Sequence, residues 1–207
     1  MVEGQLRARG ITDRAVLEAF LATPRELFIP PEQRHQAYED CPVPIGYGQT
    51  ISQPYVIALM LQELTIQPTH LVLDVGAGSG YQTALLAALA KHVYAVERIA
   101  ALTERAICTL GSLGIANVTL ATQDGSLGWA AQAPFDRIIC GAGAIDVPKP
   151  WIAQLADGGR IIMPVGGEHY QTLVLVERQA DKISRRELCD VRFVKLIGRG
   201  HGAWPEE

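Results

Sequence analysis

The chain has 207 residues, of which 48% are hydrophobic and 19% are charged, and its formal net charge is −4. This length fits one α/β domain with extensions, and it supplies an ample apolar core. The mild acidity gives no electrostatic reason to expect a nucleic-acid partner, and no hydrophobic run approaches the ~20 residues that span a bilayer.

The cysteines and histidines argue against several kinds of site. The four cysteines are scattered without a C-x-x-C pair, and the five histidines lack metal-ligand spacing. The first residues carry charges without the apolar stretch of a secretory signal. We therefore expect a cytoplasmic protein with reduced thiols, no metal and no membrane association.

The first part of the chain reads as a helical extension that packs on the main domain. Thr12 or Asp13 can cap a helix whose apolar residues recur at helical spacing, and Pro24 ends it. A single domain over residues 1–207 is expected, with this extension and an active-site loop in residues 1–66. The cofactor-binding α/β sheet is expected in residues 67–207.

A glycine-containing loop, residues 45–54, leads into a second predicted helix at 55–64. Gly46 and Gly48 predict that the loop is flexible. Ser52 either caps the following helix or places a hydroxyl on a loop that closes over a ligand. From its spacing alone, the helix cap is the favoured interpretation of Ser52.

The most informative stretch is LVLDVGAGSG, residues 71–80. It begins with the short apolar run typical of a parallel strand that is buried on both faces. Three glycines then remove Cβ atoms from one turn, which allows positive φ and lets a ligand approach backbone N–H groups. Residues 81–90 have a helical pattern. Strand, glycine turn and helix predict the nucleotide-binding half of an open α/β fold.

The glycine spacing and a downstream acid narrow the kind of ligand. The pattern is G-x-G-x-G, and Tyr81 stands where a dinucleotide fingerprint has its third glycine. The next predicted strand, residues 92–97, ends in Glu97. A carboxylate at this place can accept two hydrogen bonds from a ribose diol, and we favour that role over a solvated strand end.

Other glycine-loop chemistries fail because residues they need are missing. A P-loop requires lysine after its glycines, and no lysine lies between His70 and Ala90. A nucleophile elbow requires glycines two residues to each side of Ser79, where Ala77 and Tyr81 stand. The missing lysine and phosphate cradle favour a ligand with adenosine but no phosphate, which is S-adenosyl-L-methionine.

Beyond this region, helices and strands alternate before several strands follow one another. This order predicts a mostly parallel twisted sheet with helices on both faces and an antiparallel edge. Asp124, just after a strand, is either a turn residue or a contact to an adenine amino group. The predicted helices are 101–113 and 151–155, the latter capped by glycines 158–159, and the predicted strands are 118–121, 135–140, 160–165, 172–177 and 191–197.

The acceptor atom of a methyl transfer can also be narrowed. Methyltransferases that act on planar amino groups tend to carry an Asn/Asp-Pro-Pro-Tyr/Phe cluster after the fourth strand. Here that place reads Cys140-Gly141-Ala142-Gly143. An oxygen acceptor is therefore favoured.

Seven segments together resemble the protein-L-isoaspartate (D-aspartate) O-methyltransferase family. The resemblance extends from about residue 2 to residue 196, and GQTISQP is its most specific part because general methyltransferases lack it. The segments, in chain order, are MVEGQLRARGI, PRELFIP, PIGYGQTISQPY, LDVGAGSGYQTALLA, VYAVERI, APFDRII and QLADGGRIIMPVG.

The resemblance implies a Rossmann-like class I methyltransferase fold with S-adenosyl-L-methionine as cofactor and S-adenosyl-L-homocysteine as product. The implied substrates are L-isoaspartyl and D-aspartyl residues of damaged proteins and peptides, repaired through a methyl ester and a succinimide. Ser52 would be the active-site residue, Glu97 would hold the ribose and Asp124 would face the adenine. The implied cofactor contacts are Thr50, Ile51, Ser52, Gly76, Ala77, Gly78, Gly80, Glu97, Arg98, Asp124 and Gly125.

The sequence departs from the family pattern at three places, and the last two, at 141–143 and at Lys195, keep alternatives open. Gln123 replaces a glycine, the loop at 141–143 reads Gly-Ala-Gly instead of Thr-Ala-Ala, and Lys195 replaces a proline. The alternatives are a methyltransferase for another carboxylate and a member that binds cofactor without transferring methyl groups. A nicotinamide dehydrogenase is disfavoured by Tyr81. A monomer is expected.

Overall fold

The computed structural model describes residues 1–200 and 202–205, and a seven-stranded sheet forms its centre. Its strands are β3 (Leu71–Val75), β4 (His92–Glu97), β5 (Val118–Thr122), β6 (Phe135–Cys140), β7 (Leu155–Gly166), β8 (Gln171–Gln179) and β9 (Lys182–Val191). The strand order in the sheet is β5-β4-β3-β6-β7-β8-β9. The first five strands of this order are parallel to one another, whereas β8 is antiparallel to both β7 and β9.

Helices and a small hairpin surround this sheet. The hairpin is formed by β1 (Val43–Gly46) and β2 (Gln49–Ile51), and short helical turns account for much of the N-terminal segment. No helix in the described part of the chain has the length and apolarity that a membrane crossing requires. The α-helices are α1 (Arg14–Ala22), α2 (Pro54–Leu64), α3 (Tyr81–Leu89), α4 (Ala100–Ser112) and α5 (Lys149–Gln154).

Two hydrophobic clusters cover the two faces of the sheet. One cluster joins the N-terminal segment, the hairpin and helices α1 to α3 to residues such as Val72 and Ile139. The other places Trp151, which is fully buried, among side chains of β3, β6 and β7. The strand directions confirm the predicted mostly parallel sheet with an antiparallel edge. The central parallel strands are buried on both faces, as is usual for such sheets.

The prediction for the C-terminal strands was partly wrong. Residues 192–197 form isolated bridges and no strand, whereas β9 occupies the preceding, largely exposed residues 182–191. This edge strand is rich in charged residues, a composition that discourages pairing with other chains and also hides the apolar alternation of a strand. Glycines 158–159 do not cap α5 but lie within β7, which begins directly after that helix.

The glycine-containing loop forms a tight hairpin. Its two strands pair from Val43↔Ile51 to Gly46↔Gln49. Tyr47 and Gly48 both have positive φ, of 55° and 68°, as the central residues of a tight hairpin turn require. Gly46, with φ of 94°, takes up an irregularity in the pairing. These glycines therefore allow the backbone conformation that the hairpin requires.

Candidate active site

The glycine turn after β3 has the conformation that its sequence predicted. Gly76, Gly78 and Gly80 have φ of 81°, 55° and 88°, in the left-handed region where a side chain is disfavoured. A Cβ on Gly80 would lie 3.1 Å from the Cβ of Ala106 on α4, and one on Gly78 would lie 3.2 Å from Ile45 of the hairpin. The missing side chains therefore let α4 and the hairpin close around this turn.

Glu97, at the end of β4, is a buried carboxylate and not a solvated strand end. It is 6% exposed. Its Oε2 accepts a hydrogen bond from Gly78 N at 3.0 Å, and its Oε1 accepts one from Ile99 N at 3.0 Å. A carboxylate has about four acceptor positions, so capacity remains for a ligand diol. Glu97 thus fixes the glycine turn and faces the cavity beside it.

Asp74, the fourth of the five residues of β3, is a buried support of the site that the sequence did not reveal. It is fully buried and accepts hydrogen bonds from Gln82 Nε2 at 2.7 Å and Thr83 Oγ1 at 2.6 Å. Burial raises the pKa of Asp74 from 3.8 to about 6, against the opposing effect of these two hydrogen bonds. The signal was a charged residue inside an apolar strand, followed by polar residues in the first turn of α3. Asp74 ties the start of that helix to the strand and so supports the turn between them.

A narrow cavity, which we call the glycine-turn cavity, lies at the carboxyl ends of β3 and β4. Its volume is about 50 Å³, well below the roughly 300 Å³ at which ligand pockets begin. Residues 195–197 of the C-terminal segment contribute to its walls. It is lined by Gln49, Val75, Gly76, Val96, Glu97, Arg98, Gly125, Ala142, Lys195, Leu196 and Ile197.

The C-terminal segment above this cavity is held by Asp124 and its neighbour. Asp124 Oδ1 accepts hydrogen bonds from Ser126 N and Oγ at 3.0 and 2.5 Å, and Oδ2 accepts one from Arg199 N at 2.8 Å. Ser126 Oγ also accepts a hydrogen bond from Gly200 N at 2.8 Å. Burial raises the pKa of Asp124, but the hydrogen bonds from Ser126 and Arg199 outweigh it and lower the pKa below its ordinary value. Asp124 is thus a turn residue here, which leaves its contact with an adenine as a proposal.

A larger cleft of about 780 Å³ adjoins the glycine-turn cavity and contains Ser52. We call it the Ser52 cleft. Thr50 and Gly141 also line it. So do residues 168–171, from the β7–β8 turn and the start of β8, and residues 190–195, from the end of β9 and the segment after it. Ile51, between Thr50 and Ser52, is 4% exposed and its side chain lies in the core. Of the hairpin residues predicted to contact a cofactor, Thr50 faces this cleft, whereas the unpredicted Gln49 faces the glycine-turn cavity.

Ser52 does not cap α2, so that interpretation was wrong. The helix begins at Pro54, and the residue at the cap position, Gln53, makes no capping side-chain bond. Instead, Asp40 accepts a hydrogen bond from Tyr55 N at 3.1 Å through Oδ1 and one from Gln53 Nε2 at 2.8 Å through Oδ2. A distant aspartate thereby satisfies a backbone donor at the helix start, where donors lack partners within the helix.

Arg25 fixes the backbone of Ser52 from inside the protein. Its side chain is fully buried, with Nη2 donating to Ser52 O at 2.9 Å and Nε donating to Ala37 O at 2.9 Å. The guanidinium lies 5.0 Å from the ring centroid of Tyr81, the first residue of α3. Burial lowers the pKa of Arg25, although nearby groups oppose the shift. One arginine thus connects the serine to the helix that follows the glycine turn.

The opposite end of the hairpin is also anchored by an arginine. Arg105 of α4 donates from Nη2 to Ile45 O at 2.7 Å. The hairpin is therefore attached to the sheet domain at Ile45, before its turn, and at Ser52, after it. This arrangement fixes the backbone at Ser52, which lines the Ser52 cleft.

Two of the three departures from the family pattern lie together in the Ser52 cleft. Gly143 forms a parallel bridge with Lys195, and a Cβ on Gly143 would lie 2.5 to 2.7 Å from the side-chain amide of Gln171. That amide in turn donates to Phe193 O at 3.1 Å and accepts from Phe193 N at 2.8 Å. Glycine at 143 thus makes room for Gln171, which holds the segment that carries Lys195.

The sheet order, the glycine turn after β3 and the carboxylate of Glu97 at the end of β4 define a Rossmann-like class I methyltransferase. The sequence profile described as protein-L-isoaspartate(D-aspartate) O-methyltransferase matches residues 1–201. The chain belongs to this family.

Curated relatives agree with this assignment over nearly their whole length. The protein-L-isoaspartate O-methyltransferase 1 of Syntrophobacter fumaroxidans is 49% identical, over 96% of this chain and 93% of the relative. The protein-L-isoaspartate O-methyltransferase 2 of Geotalea uraniireducens is 51% identical, over 96% of this chain and 92% of the relative.

Solved structures give the same result. A protein-L-isoaspartate O-methyltransferase superimposes with a TM-score of 0.85 at 29% identity, over 94% of this chain and 65% of that one. A putative protein-L-isoaspartate O-methyltransferase of Plasmodium falciparum, solved in complex with S-adenosyl-L-homocysteine, gives 0.82 at 28% identity, over 94% and 96%.

Proposed function

We propose that this protein transfers a methyl group from S-adenosyl-L-methionine to the α-carboxylate of L-isoaspartyl, and also D-aspartyl, residues in damaged proteins and peptides. The observation that carries the proposal is the Ser52 cleft adjoining the glycine-turn cavity in a chain of this family. The methyl ester then closes to a succinimide, whose hydrolysis restores aspartate in part. Succinimide closure needs no residue of this chain.

The residues around the glycine-turn cavity suit the proposed cofactor. S-adenosyl-L-methionine supplies a methyl group on a positively charged sulfur and leaves as S-adenosyl-L-homocysteine. Buried Glu97 has acceptor capacity for a ribose diol, and Gly76, Ala77, Gly78 and Gly80 allow close approach to the backbone. The remaining proposed contacts are Arg98, Asp124, Gly125, Thr50, Ile51 and Ser52, to which the structure adds Gln49.

The cofactor needs more room than the narrow cavity gives. We propose that residues 195–197 move when it binds and close over it again. Such a movement would break the bonds from Arg199 N to Asp124 and from Gly200 N to Ser126, and also those that Leu196 makes with Gly143 and Trp204.

The chain needs no general base for this reaction. A carboxylate with an ordinary pKa near ~4 is already ionised at pH 7. The protein's task is to hold that carboxylate in line with the methyl group, which removes an entropic cost, and to exclude water. Ser52 is the proposed catalytic residue, as a hydroxyl donor that orients the carboxylate, because Arg25 holds its backbone in place.

The test compares two peptides that differ at one residue, isoaspartate against aspartate, incubated with methyl-labelled cofactor. Base-labile label is expected on the isoaspartyl peptide alone. Ser52→Ala should lower turnover about tenfold, the loss of one orienting hydrogen bond, with S-adenosyl-L-homocysteine affinity nearly unchanged. Ser184→Ala, on the exposed strand β9, is the matched control. Label on neither peptide would refute the proposed substrate, and full turnover by Ser52→Ala would refute the role of the serine.

The remaining expectations are proposals about organisation and partners. We propose one domain, in which residues 1–66 supply the hairpin and positioning residues and residues 67–207 supply the sheet. Residues 201, 206 and 207 of the second range lie outside the described structure. The shared hydrophobic cluster of the N-terminal segment and the sheet supports this single unit. A monomeric cytoplasmic enzyme without a nucleic-acid partner is proposed on the same grounds of composition as above.

A further inference from the structure

Lys195 lies at the boundary between the two cavities, a position that no other described residue has. It lines the Ser52 cleft and also the glycine-turn cavity. In the proposed function, the substrate peptide lies in the first cavity and the cofactor in the second. Lys195 therefore lies at the junction where the peptide reaches the cofactor.

The ammonium group of Lys195 is directed toward the peptide side of this junction. Its Nζ lies 3.3 Å from Glu168 Oε1 and 5.0 Å from the ring centroid of Trp204. Glu168 lines the Ser52 cleft and is not among the residues that line the glycine-turn cavity. The side chains of Lys195 and Glu168 are 34% and 57% exposed, so water and a peptide can both reach the pair.

The backbone around Lys195 is held by bonds from its neighbours. Gly143 N donates to Val194 O at 2.7 Å, and Leu196 N donates to Gly143 O at 2.7 Å. These bonds do not depend on which side chain stands at 195. A substitution there should change the charge in the cleft while the segment keeps its position.

We propose that Lys195 selects substrates that carry an acidic side chain next to the isoaspartyl residue. This inference rests on the proposed function and names a preference within it. An acidic side chain can replace Glu168 as the partner of the ammonium, since a half-exposed ion pair is weak and exchanges readily. The reacting carboxylate is a poor partner, because pairing would reduce its nucleophilicity and bring the ammonium near the positive sulfur of the cofactor.

Other charged groups of the cleft are consistent with this assignment. Arg192, Asp190 and Glu168 line the Ser52 cleft but not the glycine-turn cavity, so Lys195 alone among the described charged residues lines both. Their charges sum to −1, which leaves Lys195 as the cation at the junction. An acidic residue adjacent to isoaspartate is therefore the group that it meets.

The test uses isoaspartyl peptides with glutamate, glutamine or lysine at either flanking position. We expect wild-type kcat/KM to favour glutamate over glutamine about threefold to fivefold on at least one side. This ratio should fall to about one in Lys195→Met and at 1 M salt, where screening acts within ~3 Å. Glu168→Gln should raise the ratio because it frees the ammonium. Lys195→Glu should favour the lysine peptide instead. Lys182→Met, on the exposed start of β9, is the matched control.

The glutamine peptide separates failure of the inference from failure of the proposed function. Methylation of that peptide with an unchanged glutamate-to-glutamine ratio in Lys195→Met would overturn the inference alone. A KM that rises equally for all peptides in Lys195→Met would also overturn it, because the ammonium would then bind the reacting carboxylate. Methylation of none of the peptides by the wild type would overturn the proposed function and this preference with it.

Discussion

The positioning role of Arg25 can be tested by Arg25→Met. Methionine has a similar length and no donors, so the two hydrogen bonds to Ser52 O and Ala37 O, both 2.9 Å, are lost. Arg25 Nη1 and the Tyr81 hydroxyl are buried and have no hydrogen-bond partner among the described residues. The guanidinium is therefore held at an energetic cost, which two carbonyls and one aromatic ring offset.

The magnitude follows from two opposing contributions. Hydrogen bonds to a charged group contribute roughly 1.5–3 kcal/mol each, so two of them amount to about 3–6 kcal/mol. Removing a buried charge returns a desolvation penalty of several kcal/mol, which is why apolar replacements of buried charges can be nearly neutral. We expect a net loss of about 2 kcal/mol in the free energy of unfolding. The Ser52 carbonyl loses its partner, and turnover should fall at least about tenfold because alignment of the carboxylate is sensitive to small displacements.

The assay separates positioning from stability. Turnover is measured at saturating peptide and cofactor, S-adenosyl-L-homocysteine affinity by calorimetry, and stability by urea unfolding. Turnover should fall while affinity changes less than about threefold, and Arg25→Lys should recover part of the turnover because it keeps one charged donor. Arg34→Met, on the exposed helical turn Pro31–Gln36, is the control. Wild-type turnover in a folded but less stable Arg25→Met protein would refute the positioning role.

Two further substitutions test the supports of the glycine-turn cavity. Because burial raises the pKa of Asp74 from 3.8 to about 6, the folded protein keeps a proton that the unfolded chain has lost between these pH values. The contribution of Asp74 to stability should therefore decrease by about 3 kcal/mol as the pH rises from ~4 to ~6, so the free energy of urea unfolding of the wild type relative to Asp74→Asn should fall over this range. A difference between the two proteins that does not change with pH contradicts the assignment. Gly198→Ala would place a Cβ against Asp124 Oδ1 and should weaken S-adenosyl-L-homocysteine binding about tenfold by displacing the C-terminal segment. Gly111→Ala, which meets open space, should leave that affinity unchanged, and equal affinities in both variants would contradict the closing role of the segment.

The strands that are buried on both faces of the sheet could be predicted from the sequence. Strands β3, β4 and β6 appear in the sequence with the bounds that the structure gives them, because strands buried on both faces are short apolar runs. Strand β9 was missed because it lies at the edge of the sheet, where exposed and charged residues replace the apolar residues that identify a buried strand. The residues expected to form a strand at 191–197 instead form, after the end of β9, an irregular segment with isolated bridges to Gly143 and Trp204.

The glycine turn and Glu97 could be predicted for a different reason. A turn with three positive φ values requires glycine at these positions, so the glycines in the sequence indicate the conformation of the turn. Glu97 follows at a spacing that the fold imposes, since neighbouring parallel strands end at the same edge of the sheet. The residues of this half of the site are therefore close together in the sequence.

The other half of the site depends on residues that are distant in the chain. Arg25 reaches Ser52 across 27 positions and Arg105 reaches Ile45 across 60, and neither arginine carries a local sign of its partner. A buried guanidinium is tolerated when its hydrogen bonds reach fixed carbonyls, so the hairpin and the arginines stabilise each other. A serine on a mobile loop would have to be ordered each time a peptide bound. Holding it beforehand with the buried Arg25 and the partly buried Arg105 moves that entropic cost into folding, where burial of apolar side chains of the N-terminal segment offsets it.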